Sequence, residues 1–336
     1  MTKQMITIAI PTYDRNKELK ATLDKLQTIF NGMESVKIVV LDNCSPNPVS
    51  LVDGGSTHPK IVLVNNPHNI GMSANISRCL EICETEWLWI MGDDDDISSD
   101  ALVALRHAMA VGEDDPAVAW VHFQCTIGGI RLGPKMAMIG QGLKQMLKSE
   151  IDPANLIFLP STIYRTSLVR KHLRQAGNYA STRAPQLIWL LLACCEQAKW
   201  ATVPIAVATR GEPLEQGKTS ILPIARGMPL CVELVGDDKD FCAWLRKMTN
   251  AWITPNSLGL QLLTQYRLSP ERHDRVHPSR AFKALRLAWH QDGFALSLRW
   301  RVIESMLLFP SLCQFLIKRF YPEKSAKKYI PIEQRA

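Results

Sequence analysis

Apolar positions in the N-terminal third of the chain change period in a regular way. Residues 5–10 alternate and stop at Pro11, which predicts a first strand and the turn that leaves it. Leu19, Leu23, Leu26 and Phe30 then fall at helical spacing, so residues 16–30 read as an amphipathic helix. Residues 36–41 are a continuous apolar run, halted by the dense turn signal Asp42-Asn43-Cys44-Ser45-Pro46-Asn47-Pro48. A third strand is expected at 61–64, a loop at 65–71, and a helix at 72–84 that turns Met72, Ile76, Leu80 and Cys83 to one face. The aromatic-rich run 87–91 is a fourth, buried strand, and it closes on Gly92 and four successive aspartates, Asp93, Asp94, Asp95 and Asp96.

Alternation of this kind predicts an α/β fold with a doubly wound, mostly parallel sheet, whose ligands sit at the carboxyl ends of the strands near a switch in strand order. The polar clusters at 13–15, 42–43, 69–71 and 93–96 each follow such an end and should meet in one crevice. Farther along, a helix is expected at 101–109, with Ser98, Ser99 and Asp100 supplying capping oxygens and Asp96 placed in the cap or behind the site. A strand at 117–123 leads to a glycine-rich turn at 128–134, which lacks the Lys-Ser/Thr of a phosphate-gripping loop. Residues 156–165 lead into a helix at 167–175, followed by an apolar helix at 185–197 and a strand at 200–208. From about residue 228 the pattern is helical, which divides the chain into an α/β unit, 1–227, and a basic, mainly helical C-terminal region, 228–336.

Four adjacent carboxylates repel one another unless water, a basic partner or a divalent cation screens them. Mg²⁺ or Mn²⁺ takes oxygen ligands, commonly one or two carboxylates plus the phosphate oxygens of a substrate, so a strand-end aspartate turn suits a metal–diphosphate. The competing reading is a solvated acidic turn that caps the next helix; convergence of the other strand ends favours the ligand. A prenyl-diphosphate motif fails on register, because no second Asp pair recurs at the required spacing and the cluster follows a strand.

Ile-Ala-Ile-Pro-Thr-Tyr-Asp-Arg (8–15), Val-Val-Leu-Asp-Asn-Cys-Ser (39–45), Asn-Ile-Gly-Met-Ser-Ala-Asn (69–75) and Trp-Ile-Met-Gly-Asp-Asp-Asp (89–95) resemble the successive motifs of family 2 glycosyltransferases of the GT-A fold. The flavour is similar to bacterial enzymes that build O-antigens and other surface polysaccharides, including abequosyltransferase-like members. The resemblance implies a sugar transferase that uses a nucleotide-diphosphate sugar, a saccharide or lipid-linked saccharide acceptor and Mg²⁺ or Mn²⁺. It assigns Pro11, Thr12, Tyr13 and Asp42 to the nucleotide, Asn69, Gly71 and Asn75 to the crevice wall, Asp93 and Asp94 to the nucleotide-sugar, and Asp93 with Asp95 to the metal. Residue chemistry leaves each assignment a rival: Tyr13 stacks on a base or packs half-buried, Asp42 bonds a ribose or forms an Asx turn, and Gly71 admits a ligand or only turns the chain. Asn43 stands where the family often has a second aspartate.

The family's catalytic base usually sits in an acidic pair just before the last helix of the domain, but here that stretch reads Thr182-Arg183-Ala184-Pro185-Gln186. Removing the acceptor proton needs a base within hydrogen-bond reach. Glu150, Asp152 and Glu196 are the remaining candidates, and none is compelling, since Asp152-Pro153 also starts a helix and Glu196 ends one. A transferase-fold protein that binds nucleotide-sugar without transfer is therefore an alternative.

Charge adds a further element. Of the formal +7, residues 267–336 carry 14 Lys and Arg against 6 Asp and Glu, which leaves the preceding 266 residues at 25 against 26. Arg299-Trp300-Arg301 and Lys318-Arg319, interleaved with Phe294, Leu298, Leu307, Leu308, Phe309, Phe315 and Phe320, fit interfacial helices on an anionic membrane surface, or else a packed subdomain with a solvated basic face. A nucleic-acid-binding tail is the other class that a basic balance permits, but no helix-turn-helix, zinc or RNA-reading motif accompanies it, and an acidic crevice would repel a phosphate backbone, so no nucleic-acid partner is expected. Nine scattered cysteines without a Cys-x-x-Cys pair, no signal-like N-terminus and apolar runs about half the ~20 residues of a membrane span point to a reduced cytoplasmic chain, at most peripheral to the membrane.

Overall fold

A computed structural model describes residues 5–49, 59–127, 129–149, 151–210, 222–236, 238–248, 258–259, 262–263, 278–289 and 294–320. The N-terminal alternation folds as expected: β1 (Ile6–Thr12), α1 (Asn16–Ile29), β2 (Val36–Asp42), β3 (Lys60–Asn65), α2 (Met72–Glu81) and β4 (Trp87–Ile90). After the aspartates come a two-residue β5 (Asp96–Ile97), α3 (Ala101–Asp114) and the long β6 (Val118–Ile127), then β7 (Ile130–Leu132), β8 (Met138–Gln141), α4 (Gly142–Lys148) and α5 (Pro153–Ile157). The domain continues through β9 (Thr162–Arg165), α6 (Thr166–Arg170), α7 (Leu173–Gly177), α8 (Pro185–Cys195) and β10 (Lys199–Thr209).

All ten strands among the described residues join one sheet, ordered β3-β2-β1-β4-β9-β6-β10-β5, with β7 on β6 and β8 on β10. Strands β1, β2, β3 and β4 are parallel, as are β6 and β10, while β9 runs antiparallel to both β4 and β6. The doubly wound, mostly parallel sheet is thus observed, and its order reverses between β1 and β4. Strand alternation splits the core in two. Ile6, Ile8, Ile10, Trp87 and Trp89 pack against Leu19, Leu23 and Leu26 of α1 and Ala104, Leu105 and Ala108 of α3. Ala9, Leu88, Ile90 and Trp120 face the opposite layer, built from Ile76 and Leu80 of α2 and from Leu187–Leu192 and Cys194 of α8. Helix α8 is apolar on every face from Leu187 to Cys194 because that stretch is buried on every side.

Several expectations need correction. The run before residue 166 holds a strand, β9, which pairs on both sides; Arg165 at its end donates to Val118 O and Gly112 O, ion-pairs with Glu86 and lies over the Trp87 ring at 4.4 Å. Met72 is exposed, because α2 buries Asn75, Ile76, Cys79 and Leu80 instead, and the helix ends at Glu81. No side chain at Asp100 caps α3; Ser98 Oγ accepts from Asp100 N (3.2 Å) and Asp96 is part of β5.

Beyond residue 221 the described helices are Leu222–Gly227, Cys231–Val235, Lys239–Arg246, Pro278–Trp289, Phe294–Met306 and Pro310–Phe320. Their buried residues Phe241, Trp244, Phe282, Leu285 and Trp300, with Leu307 in the turn after Met306, continue the α8-side core, and Trp244 Nε1 donates to Ile151 O at 2.8 Å. Trp300 and Leu307 therefore face inward, whereas Leu308, Phe309 and Phe315 are exposed; the side chains of Phe294, Leu298, Arg299, Lys318 and Phe320 lie outside those described. Among the described residues no helix is long and apolar enough to cross a membrane.

Candidate functional site

The switch between β1 and β4 brings two polar strand ends side by side. Thr12, the last residue of β1, is buried and donates from Oγ1 to Asp93 Oδ2 at 2.7 Å, while Thr22 of α1 donates to Asp93 O at 3.0 Å. Arg15 sits at the start of α1 and reaches back, 3.3 Å from Asp93 and 2.6 Å from Asp94. The four aspartates do not all project outward. Asp93 and Asp95 are each only 6% exposed, whereas Asp94 and Asp96 reach solvent, and Asp96 pairs with Lys25 of α1. Asp95 folds back so that Gly92 N donates to its Oδ2 at 2.9 Å, and a Cβ at Gly92 would collide with that carboxylate.

Burial governs the protonation of this turn. Desolvation pushes Asp95 up to about 7, with Asp94 and Asp93 adding repulsion against the Gly92 amide and Arg210. Asp93 is raised to about 6 by the same burial, against the pull of Arg15 and the Thr12 hydroxyl.

A second cluster forms where β2 ends. Asp42 Oδ1 accepts from Ser45 N (3.1 Å) and Ser45 Oγ (2.5 Å), and Ser45 Oγ accepts from Asp14 N (2.7 Å). The Asx turn weighed for Asp42 is real. It leaves Oδ2 with no hydrogen bond from a described residue, and it ties the β1 turn, where Asp14 has φ 53°, to the β2 turn. Pro11 pairs with Leu41 in the sheet, and Tyr13 follows half-buried.

Asparagines build the third side. Asn43 Nδ2 donates to Asn69 Oδ1 (2.8 Å), and Asn43 Oδ1 accepts from Ile70 N (3.0 Å) and Asn66 Nδ2 (2.9 Å). Asn66 also donates to Asn75 Oδ1 (2.8 Å), and Asn75 donates to Leu41 O (3.2 Å). Asn75 is therefore buried and occupied within the protein, while Asn69 and Gly71 are exposed. Gly71, at φ 83° with open space where a Cβ would stand, is glycine for its backbone angle.

Sequence reasoning missed three contributors. Arg15 was grouped only with its turn, Asn66 only with its loop, and Arg210 was not singled out. Arg210 follows β10, donates from N to Thr126 O at 2.8 Å and lies close enough to favour the Asp95 carboxylate; β5 brings them together by pairing Asp96 and Ile97 with Thr209 and Ala208. The repeated asparagines after β2 and β3 were the only available signal.

The base candidates fare differently. Asp152 caps α5, accepting from Ala154 N at 2.7 Å. Glu196 is exposed, pairs with Lys171 and precedes β10, which places it at the amino edge of the sheet, away from the aspartate turn. Glu150 lies outside the described residues. The stretch where the base was expected has Arg183 in a left-handed turn (φ 59°) and Gln186 buried, donating to Ile157 O at 2.7 Å. It adjoins the asparagine side, since Ser73 Oγ of α2 donates to Ala180 O at 3.0 Å.

A doubly wound, mostly parallel sheet with an aspartate turn at its switch point is a fold of the GT-A type. Residues 7–171, just under half of the chain, match the family model Glycosyl transferase family 2, so this stretch is similar to the family 2 glycosyltransferases. A curated relative, abequosyltransferase RfbV of Salmonella typhimurium, is 25% identical over 105 residues, 30% of this chain and 32% of its own length. The matched stretch thus spans about a third of that relative. Among solved structures, S. aureus TarS 1-349 superposes with TM-score 0.55 at 15% identity, covering 92% of this chain and 87% of that one. The same protein in complex with UDP-GlcNAc gives TM-score 0.56 at 15% identity, with the same coverage. These likenesses establish the fold.

Proposed function

We propose that the protein moves a sugar from a nucleoside-diphosphate sugar to a hydroxyl of a lipid-linked saccharide acceptor, in the building of a surface polysaccharide at the inner face of the cytoplasmic membrane. The observation that carries this reading is the linkage of strand ends at the β1–β4 switch: Thr12 to Asp93, Arg15 to Asp93 and Asp94, and Asp14 through Ser45 to Asp42. Such a crevice offers acceptors for ribose and base beside cationic and acidic groups for a diphosphate. The names of the relatives, an abequosyltransferase and a protein bound to UDP-GlcNAc, support sugar transfer.

Each residue has a role in this reading. Asp42, oriented by Ser45, accepts from a ribose hydroxyl or base N–H through Oδ2, and Tyr13 beside it offers a ring for the base. Pro11 and Thr12 fix the strand end, with Thr12 holding Asp93. Asn69 and Gly71 line the opening, and Asn75 positions them from within. Asp93 and Asp94 face the nucleotide-sugar, and Arg15 holds both.

The donor set fits a hard divalent cation. Asp93 and Asp95 are buried carboxylates whose ionisation burial disfavours and added positive charge would favour, and among the described residues no set of three or more His, Cys, Asp or Glu is placed to enclose a metal unaided. Asp95 and Asp93 would hold Mg²⁺ or Mn²⁺, with diphosphate oxygens and water completing the shell. Such an ion supplies neutralisation of the charge that develops on the leaving diphosphate. The lack of a carboxylate over residues 182–186 favours a second reading, nucleotide-sugar binding without transfer.

Thermal shift with UDP-, GDP-, CDP- and dTDP-sugars, with and without Mn²⁺, tests the first reading, because a ligand that binds only the folded state raises its melting temperature. One donor class should stabilise the wild type. Asp42→Ala should weaken that binding by ~1–3 kcal/mol, and Asp96→Ala, already paired with Lys25, much less. No response to any nucleotide-sugar would overturn the proposal; binding without release of nucleoside diphosphate to saccharide acceptors would favour the second reading.

A further inference from the structure

Away from the aspartate crevice, helices Pro278–Trp289 and Phe294–Met306 enclose an open cleft of about 510 Å³. That volume is within the ~300–1,000 Å³ usual for small-molecule sites. Arg280, Lys283 and Arg286 follow one another at three-residue spacing along the first helix and share its cleft-facing side; Arg301 comes from the second. The cleft holds one carboxylate, Glu304, and Arg286 Nε already donates to it at 2.8 Å. Arg280, Lys283 and Arg301 are exposed and have no carboxylate partner among the described residues. Three uncompensated cations in one cleft repel one another, and a compact dianion relieves that repulsion while accepting charge-assisted hydrogen bonds from all three.

We propose that this cleft is a binding site for a phosphate monoester or diphosphate group. Its rim favours a phosphate carried on a lipid. Leu308 lines the cleft and is followed by Phe309, Leu312 and Phe315, 63%, 55% and 64% exposed, an apolar edge beside the cationic seat. A soluble phosphate would gain nothing from that edge, whereas a membrane lipid presents its headgroup next to its chains. The site deepens the membrane-surface reading of the C-terminal helices and is independent of the sugar-transfer chemistry.

The test uses the full chain in EDTA, so that no metal–diphosphate complex forms at the aspartates. Titration calorimetry with inorganic pyrophosphate should show binding that falls by about tenfold or more in Lys283→Gln/Arg301→Gln, as two charge-assisted hydrogen bonds are lost. Lys144→Gln/Lys148→Gln, which removes equal charge from exposed positions of α4, should bind as wild type. Co-sedimentation then separates the sources. Preference for phosphatidylcholine vesicles containing phosphatidic acid over vesicles of equal charge containing phosphatidylglycerol, lost in Lys283→Gln/Arg301→Gln, identifies a lipid phosphate; pyrophosphate binding without that preference identifies a soluble one. Absence of both, binding that survives Lys283→Gln/Arg301→Gln, or equal losses in the two double variants would overturn the site.

Discussion

Asp95 is a carboxylate that the folded protein prefers to keep protonated. Its folded-state value near 7 lies above the ordinary 3.8, so its contribution to stability is fully present below about pH 4 and is lost as pH rises toward 7. At ~1.4 kcal/mol per pH unit the loss is at most about 4 kcal/mol. His122 works in the opposite sense: buried between Thr162 and Asn155, it is held down to about 3, so it removes stability as pH falls below 6.5. Asp95→Asn isolates the first effect. Urea melts at pH 5 and pH 8 should find this variant more stable than wild type at pH 8, with the gap less than half as large at pH 5; an equal gap at both would contradict the protonation assigned to Asp95. The sequence shows four carboxylates at the end of β4. It did not tell which face inward, because that follows from a turn in which Asp95 bends under Gly92 and from Thr12 and Thr22 arriving from elsewhere in the chain.

At the level of elements, the loop before α2 is shaped by side chains that β2 and β3 deliver. Removing Asn66 leaves the Oδ1 atoms of Asn43 and Asn75 short of a donor in a buried place, which costs ~1–3 kcal/mol. Asn66→Ala should therefore lower stability by that amount and speed amide exchange at Ile70 and Gly71, with β10 unaffected; hydrogen exchange resolved by residue checks both. Uniform acceleration across the sheet would mean that the network serves the whole fold and not the loop. Elements with their own period, such as α1, β2 and α8, were readable from the sequence nearly to their ends. Strand β9 was not. Four residues hold too little alternation to register, and its conformation is imposed by β4 and β6, which contact it from both sides. The C-terminal helices were legible as helices, but the inward turn of Trp300 and Leu307 depends on a core surface made by residues far upstream.

For the molecule as a whole, charge and apolar exposure coincide at the C-terminal end. Attachment to phosphatidylglycerol vesicles should weaken between 0.1 and 1 M salt, as the Debye length falls from ~10 to ~3 Å. Phe309→Ser/Phe315→Ser, which leaves every charge in place, should cut partitioning by about tenfold or more, since a Phe side chain contributes ~1.5–3 kcal/mol on burial. Co-sedimentation of both proteins across the salt series reads the two effects separately, and unchanged partitioning of the double variant would show that apolar insertion plays no part. The position of β9 bears on how the chain is made. As synthesis proceeds from the N-terminus, β4 emerges with β1 available on one side, while its other partner lies more than seventy residues downstream. Until that segment leaves the ribosome, Trp87-Leu88-Trp89-Ile90 presents an unpaired apolar edge, and β6 waits for both β9 and β10. The nascent protein therefore passes through a stage in which the β4 edge is complete as a strand but open to the wrong neighbour, and a ribosome that stalls within this interval leaves a wholly apolar strand edge exposed.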